Sequence, residues 1–230
     1  MNEIFLNSAT IGVVMSIVAY EIGVILKKKT KLAICNPMLV SILLIIGFLL
    51  LFDVEYNSYL KSAQYLNYLL TPTTVCLAIP LYQKLHLLKA NFAAIILSVL
   101  AGVLSSGLSI LGMSILFGLT HEQYVTLLPK SITTAIGMGM SEELGGIVTI
   151  TVASIVITGI TGNMLGTQMC HLFRIKHPIS QGLALGTSTH ASGTARAMEI
   201  GEVEGAMSSL AMVVAGLCTV VAASIFAMFW

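Results

Sequence analysis

The chain has 230 residues, 57% of them hydrophobic and 9% charged, with a formal net charge of +1. A mean hydropathy of +0.95 lies far outside the range of soluble domains and marks an integral membrane protein, while the near-neutral balance excludes electrostatic binding of nucleic acid. No long polar interval leaves room for a separate aqueous domain, so residues 1–230 read as one transmembrane domain with approximate halves 1–119 and 120–230.

The opening MNEIFLNS has neither the basic region nor the small-residue cleavage site of a signal peptide, so the first apolar segment is expected to stay in the mature protein. Apolar runs near the length that crosses a ~30 Å hydrocarbon core follow at Ile4–Leu26, Pro37–Phe52, Phe92–Leu119, Gly146–Cys170 and Ala206–Phe229. Three further segments, Tyr65–Tyr82, Tyr124–Met140 and Ile179–Met198, are apolar enough to enter a membrane but carry proline, glycine, hydroxyl and ionisable residues. The expected fold is all-α, with about seven or eight transmembrane segments, inverted-repeat character, and broken or re-entrant helices at 69–82, 125–141 and 181–198. Cys35, Cys76, Cys170 and Cys218 are far apart and mostly apolar in context, which fits small core residues rather than a disulfide framework or a metal site. No cofactor is expected.

Loop charges orient these segments. Lys27, Lys28, Lys29 and Lys31, then Lys84 and Lys89, then Arg174 and Lys176 mark cytoplasmic loops by the positive-inside rule. Asp53, Glu55, His121, Glu122, Glu199, Glu202 and Glu204 fit the outside, and Glu21 is expected to pair with the neighbouring lysines. The N-terminus then lies outside and the C-terminus inside. An odd number of crossings must separate Glu122 from Arg174. Tyr124–Met140, interrupted by Pro129, Gly137 and Gly139, is therefore a re-entrant or half-span element, leaving seven crossings.

SITTAIGMGMSEELG (131–145) aligns without gaps on TSTHASGTARAMEIG (187–201), pairing Thr133 with Thr189, Ala135 with Ala191, Gly137 with Gly193, Glu143 with Glu199 and Gly145 with Gly201. The two copies enter from opposite sides on the charge-derived topology, the inverted arrangement of many secondary transporters.

Glycine- and hydroxyl-rich sequence persists at membrane depth where it lines an enclosed or hydrated cavity, and a helix broken there offers a partly positive backbone end to an anion. The candidate substrate-binding set is Thr73, Thr74, Lys130, Ser131, Thr133, Thr134, Thr187, Ser188, Thr189, His190, Ser192, Gly193, Thr194 and Arg196. Arg196 would clamp a carboxylate through its planar fork, while His190, Glu142 and Glu143 are proton-coupling candidates. Each has a structural alternative. Arg196 can pair with Glu199, three residues on, His190 can bridge two helices, and Lys130 can reach a headgroup. Glu142 and Glu143 can be rim charges, and the threonines can bond the preceding helical turn. Gly102, Ser105, Ser106 and Ser109 read as a helix-packing stripe, within one chain or in a homodimer.

The motifs NPMLVSILLI from Asn36, TPTTVCLAIPLY from Thr71, LLPKSITTAI from Leu127, ELGG from Glu143, GLALGTSTHASGTARAMEIG from Gly182 and EGAMSSLAM from Glu204 together resemble the LrgB/CidB family over essentially the whole chain. The resemblance implies a multi-pass bacterial membrane protein, usually encoded beside a small LrgA/CidA-type membrane partner. It implies holin-like or antiholin-like modulation of murein hydrolase activity and autolysis, with relatives tied to transport of pyruvate or plastidal glycolate and glycerate. The family pattern falls on Pro72, Thr74, Pro80 and Tyr82, on Pro129 to Thr134, and on His190, Gly193, Thr194 and Arg196. Thr73 and Ala135 depart from it, standing where a small alanine and a proline are expected.

Two functions compete. One is carriage of a small monocarboxylate by alternating access around broken helices; the other is a holin- or antiholin-like regulator acting through oligomerisation with its partner. An enzyme lacks support, because the sequence has no HExxH, no recognisable nucleophile pair and no paired aspartates.

Overall fold

The computed structural model describes residues 5, 8, 10–30, 35–69, 72, 75, 76 and 78–230, all as helices, turns and connecting segments. The chain divides into two compact units, Met1–Cys76 and Leu77–Trp230. Thr73 and Thr74, with most of the polar stretch around them, lie outside the described residues.

The first unit holds α1 (Ile11–Thr30), α2 (Pro37–Leu51), α3 (Tyr56–Ser62) and α4 (Gln64–Tyr68). Asn36 starts α2 by accepting the Met38 N–H at 2.9 Å, and Pro37 occupies the first turn, where no intrahelical N–H bond is lost. Lys27, Lys28 and Lys29 sit in the last turn of α1, against the negative end of its dipole. Small residues let the helices touch: Gly23 abuts the Pro37 backbone and Gly12 abuts Ser62, while the Ser16 and Tyr59 hydroxyls bond at 2.7 Å. The ion pairs among the described residues are Lys84–Glu202 and Arg196–Glu199, so Glu21 does not make the pairing expected of it.

The second unit continues with α5 (Ala78–Gln83), α6 (Leu85–Ala90), α7 (Phe92–Phe117), α8 (His121–Leu127), α9 (Thr134–Glu143), α10 (Val148–Leu172), α11 (Pro178–Ile200) and α12 (Glu202–Phe226), closed by a 3-10 turn at Ala227–Phe229. Among the described residues, α7, α10, and α12 with its terminal turn are long and apolar enough to cross a membrane. Leu97, Leu104, Leu108 and Leu116 remain exposed along α7, as they do on a surface that faces lipid rather than water. All four cysteines are free, and Cys76 is exposed rather than in a core.

Neighbours fix the helix directions. Ile95, Val99 and Val103 of α7 share a core with Ala206, Met207, Leu210, Ala211 and Ala215 of α12. Further along, Gly107 abuts the Phe226 ring and the Trp230 indole donates to the Leu119 carbonyl at 2.8 Å. α7 and α12 are therefore parallel. α10 runs the other way.

The elements between them do not cross. In the first, α8 and α9 are joined by a turn at 128–133. Gly137 of α9 packs on Pro129 and on Ile155 of α10, whereas Thr151, near the start of α10, bonds both the Thr126 carbonyl at 2.9 Å and the Ser141 hydroxyl at 2.7 Å. The chain enters at the His121 end, turns near Lys130, and leaves by the end at which it entered. The hairpin has the geometry of the re-entrant element expected at 125–141. Its break, however, lies at Pro129, while Gly137 and Gly139 sit inside α9.

α11 corrects the expected topology. Its backbone leaves helical geometry at Thr189 and His190, and its two legs fold against each other, Gly193 lying against the Leu185 carbonyl. On α12, Gly182 meets Glu204 and Gly186 meets Ser208, yet Met198 meets Gly205 and Thr194 bonds Ser208. Both legs thus reach the same levels of α12. Residues 179–198 form a second hairpin, the re-entrant one of the two alternatives expected at 181–198, which removes one of the seven crossings counted from loop charge. Lys84 pairs with Glu202 at 3.0 Å, so the acidic loop sits at the same end as Lys84 and not opposite it. Trp230 lies at the other end. A cytoplasmic C-terminus is therefore incompatible with cytoplasmic Lys84.

Gly186 tests the packing. An alanine there would bring its Cβ to 2.8 Å from the Ser208 Cα, and backbone cannot rotate away. Gly186→Ala is expected to cost about 1–3 kcal/mol and to lower the thermal midpoint in detergent. Gly112→Ala, with open space at its Cβ, is expected to hold or raise it.

Candidate functional site

The legs set the depth of the site. α9 has ten residues, about 15 Å at 1.5 Å per residue, roughly half of a ~30 Å core. The two tips meet beside the middle of α7, each bringing a carbonyl-bearing helix end and an N–H-bearing one to the same depth, as in the discontinuous helices of secondary transporters.

Lys130 is at the tip of the first hairpin. Its Nζ donates to Ser131 Oγ at 3.1 Å and Ser106 Oγ at 3.3 Å, and the two hydroxyls lie 3.4 Å apart. A cleft of about 460 Å³ opens here, bounded by Ser98, Ser105, Ser106 and Ser109 of α7, by Lys130 and Ser131, and by Thr187 and Ser188 of α11. A second cleft, of about 680 Å³, lies between α10 and α11 and is lined by Thr158, Thr161, Leu165, Met169 and Thr189 among others. Lys130, Ala184 and Ser188 line both.

Behind the second tip, the polar groups are used to hold the turn. His190 is 6% exposed and its Nε2 lies 3.1 Å from the Ile155 carbonyl. A carbonyl oxygen only accepts, so Nε2 carries the hydrogen. Asn163 Nδ2 donates to the Ser192 carbonyl at 2.9 Å, Thr189 Oγ1 to the Leu185 carbonyl at 2.8 Å, and Thr194 Oγ1 to the His190 carbonyl at 3.0 Å. These bonds occupy groups that a broken helix would otherwise leave unsatisfied. Gly159 of α10 faces His190 and Ser192, Gly162 faces Thr189, and Gly166 faces Leu185. Their spacing lays a groove along one side of α10 into which the hairpin settles.

The predicted residues therefore separate into groups. Lys130, Ser131, Thr187 and Ser188 line the first cleft, and Thr189 joins Lys130 and Ser188 at the second. His190, Ser192, Gly193 and Thr194 line neither. Arg196 also stands apart, donating through Nε to Thr167 Oγ1 at 3.1 Å and pairing with Glu199 at 2.5 Å. Thr133 and Thr134 begin α9, and Glu142 and Glu143 lie exposed at its end. Gly102, Ser105, Ser106 and Ser109, expected in a packing stripe, all line the cleft, and Gly102 also lies close against Thr187. The α10 groove was missed, although TGITGNMLG (158–166) carries the small-residue spacing that signals it. The hydroxyl knot of Thr126, Ser141 and Thr151 was missed too, because its members are scattered in sequence.

A family model described as the LrgB-like family matches residues 16–229. The "Holin-like protein CidB" of Staphylococcus aureus is 38% identical over 205 residues, covering 89% of this chain and 90% of the relative. The protein of the same name from Staphylococcus epidermidis is 38% identical over 213 residues, covering 93% and 92%. The "Antiholin-like protein LrgB" of Bacillus cereus is 36% identical over 216 residues, covering 94% of each chain. No solved structure matches the chain.

His190 has φ 45° and ψ −134°, where a residue with a Cβ is strained by about 1–3 kcal/mol. His190→Gly is therefore expected to unfold at a higher temperature than His190→Ala, with a difference of about 1 kcal/mol. A continuous helix reverses that order by a similar amount, since glycine there costs about 1 kcal/mol relative to alanine. Thermal unfolding of the two purified variants in one detergent distinguishes the cases.

Proposed function

The chain belongs to the LrgB-like family, and from that membership we propose that it is a bacterial membrane protein of the holin- and antiholin-like class. In this reading it acts on the permeability of the cytoplasmic membrane, and through it on murein hydrolase activity and autolysis. It assembles with itself or with a small LrgA/CidA-type partner. The names of relatives that match nine-tenths of the chain support this.

A second reading, passage of a small organic anion of the monocarboxylate class, is favoured by one observation: hairpins from opposite ends of the unit meet at two clefts. Ser131 and Thr187 would then offer hydroxyls to the solute, with Ser188 and Thr189 lining the space but donating to their own helix. His190, Gly193, Thr194 and Arg196 would hold the second tip in shape. Glu142 and Glu143, at the mouth of the first hairpin, would be the carboxylates available to a coupling proton. With Lys84, Lys89, Arg174 and Lys176 cytoplasmic, the eight apolar segments become six crossings and two hairpins, with both termini outside. The 56-residue repeat then relates a span and its hairpin to an inverted copy.

The test pairs uptake with lysis. Proteoliposomes with and without the partner are given labelled pyruvate, lactate and glycolate under a pH gradient, and a deletion strain is complemented for autolysis rate. Thr187→Val is expected to reduce uptake by about two- to tenfold, the worth of one hydrogen bond, at unchanged protein level. If wild-type vesicles take up none of these solutes while the variant restores autolysis fully, the carrier reading fails and the assembly reading stands. Leakage of an unrelated solute such as sucrose marks a pore.

A further inference from the structure

Among the described residues lining the two clefts, Lys130 is the one that carries a charge: neither lining includes a described carboxylate, histidine or arginine. Its ammonium is half-buried and its hydrogen-bond partners are the hydroxyls of Ser106 and Ser131, which relieve some desolvation but supply no counter-charge. A partly desolvated cation without a counter-ion is costly, and an anion that can approach it is held correspondingly well. Arg196, the group a sequence reading would choose, is already matched by Glu199 and Thr167. We infer that Lys130 is the anion-anchoring residue of this protein, holding a small monoanion where the two hairpin tips meet, with Ser106 and Ser131 as neutral donors beside it. One cation matches one negative charge, which selects monoanions over dianions. Because Lys130 and Ser188 belong to both clefts, the anchored anion has access to either side of the first leg of α11 without leaving its cation. The inference rests on the reading above in taking the clefts as open to solute, but its test does not require transport.

The reporter is Ser188→Cys, at an exposed position beside Lys130, in the full chain with Cys35, Cys76, Cys170 and Cys218 replaced by serine or alanine. The thiolate is modified by methanethiosulfonate reagents, forming a disulfide and releasing methanesulfinate, with either an anionic ethylsulfonate or a cationic ethyltrimethylammonium head. At low ionic strength Lys130→Gln is expected to lower the anionic-to-cationic rate ratio by about tenfold or more, an effect that salt shrinks. Lys130→Arg keeps the ratio, and so does Arg196→Gln. A ratio unmoved by Lys130→Gln, or one that falls equally with Arg196→Gln, overturns the inference. Should Lys130→Gln fail to fold, competition in the reporter chain decides: acetate and pyruvate must slow the anionic reagent more than sulfate at equal ionic strength, and no slowing overturns the proposal. An intact charge preference without pyruvate uptake leaves the anion site standing and sinks the carrier reading. Uptake that persists with an unmoved ratio does the reverse.

Discussion

The constraint on which this molecule depends is that backbone N–H and C=O groups inside a membrane must find partners within the protein. Both hairpins break that rule locally, since a turn at mid-depth strips several peptide groups of their helical bonds, and each break carries its own remedy. At the second tip the remedy is side chains: Asn163, Thr189, Thr194 and His190 each bond a main-chain carbonyl across or beside the turn. At the first tip it is the turn's own backbone, Lys130 N–H donating to the Leu127 carbonyl at 3.1 Å and Ile132 N–H to the Pro129 carbonyl at 3.3 Å, while at the mouth Thr126 accepts the Ile147 N–H at 2.8 Å and Thr151 ties Thr126 to Ser141. The hydroxyl-rich composition of these segments is thus consumed largely by the architecture. Only a few hydroxyls of the cleft-lining residues, those of Ser106, Ser131 and Thr187 among them, are left over from such main-chain bonds.

That division explains which parts of the molecule were legible in sequence. The long spans α7, α10 and α12 announce themselves by apolar length, and Pro129 announces the first break. The aligned threonines 133 and 189 mark where α9 and the second leg of α11 begin, so the repeat located both tips. A break in α11 was expected, but whether the chain crosses or reverses there was not legible. Only Thr189 and His190 leave helical geometry, neither is a glycine or a proline, and helical propensity is similar on either side. A crossing and a hairpin also differ by where the chain goes next, which depends on contacts with α10 and α12 that no local pattern encodes. Loop charge then misled, because the acidic run at 199–204 was read as an outer loop when Glu202 is there to meet Lys84.

The same logic separates Arg196 from Lys130. Arginine draws attention in a sequence because its planar fork suits a carboxylate, and here it binds one, the protein's own Glu199. Lysine after proline looks unremarkable. What distinguishes Lys130 is the company it keeps in space: serines from three separate segments and no acid within ion-pair distance among the described residues. An absence of neighbouring charge is a property of the fold, invisible until the tips are brought together.

The two hairpins are not independent, and α10 is the reason. Ile155 packs its side chain against Gly137 of the first hairpin, and its carbonyl accepts the His190 N–H of the second. One residue thus touches both, near the depth where the clefts meet. A shift of α10 that loosens one contact changes the other, since the same backbone segment supports the side chain and the carbonyl. Gly159, Gly162 and Gly166 put no side chains between α10 and the second hairpin, so that hairpin seats closely on α10 and is bonded to it through His190, Asn163 and Arg196, as the first is through Thr151. The hydroxyl knot on one side and these bonds on the other make α10 the common support of both tips.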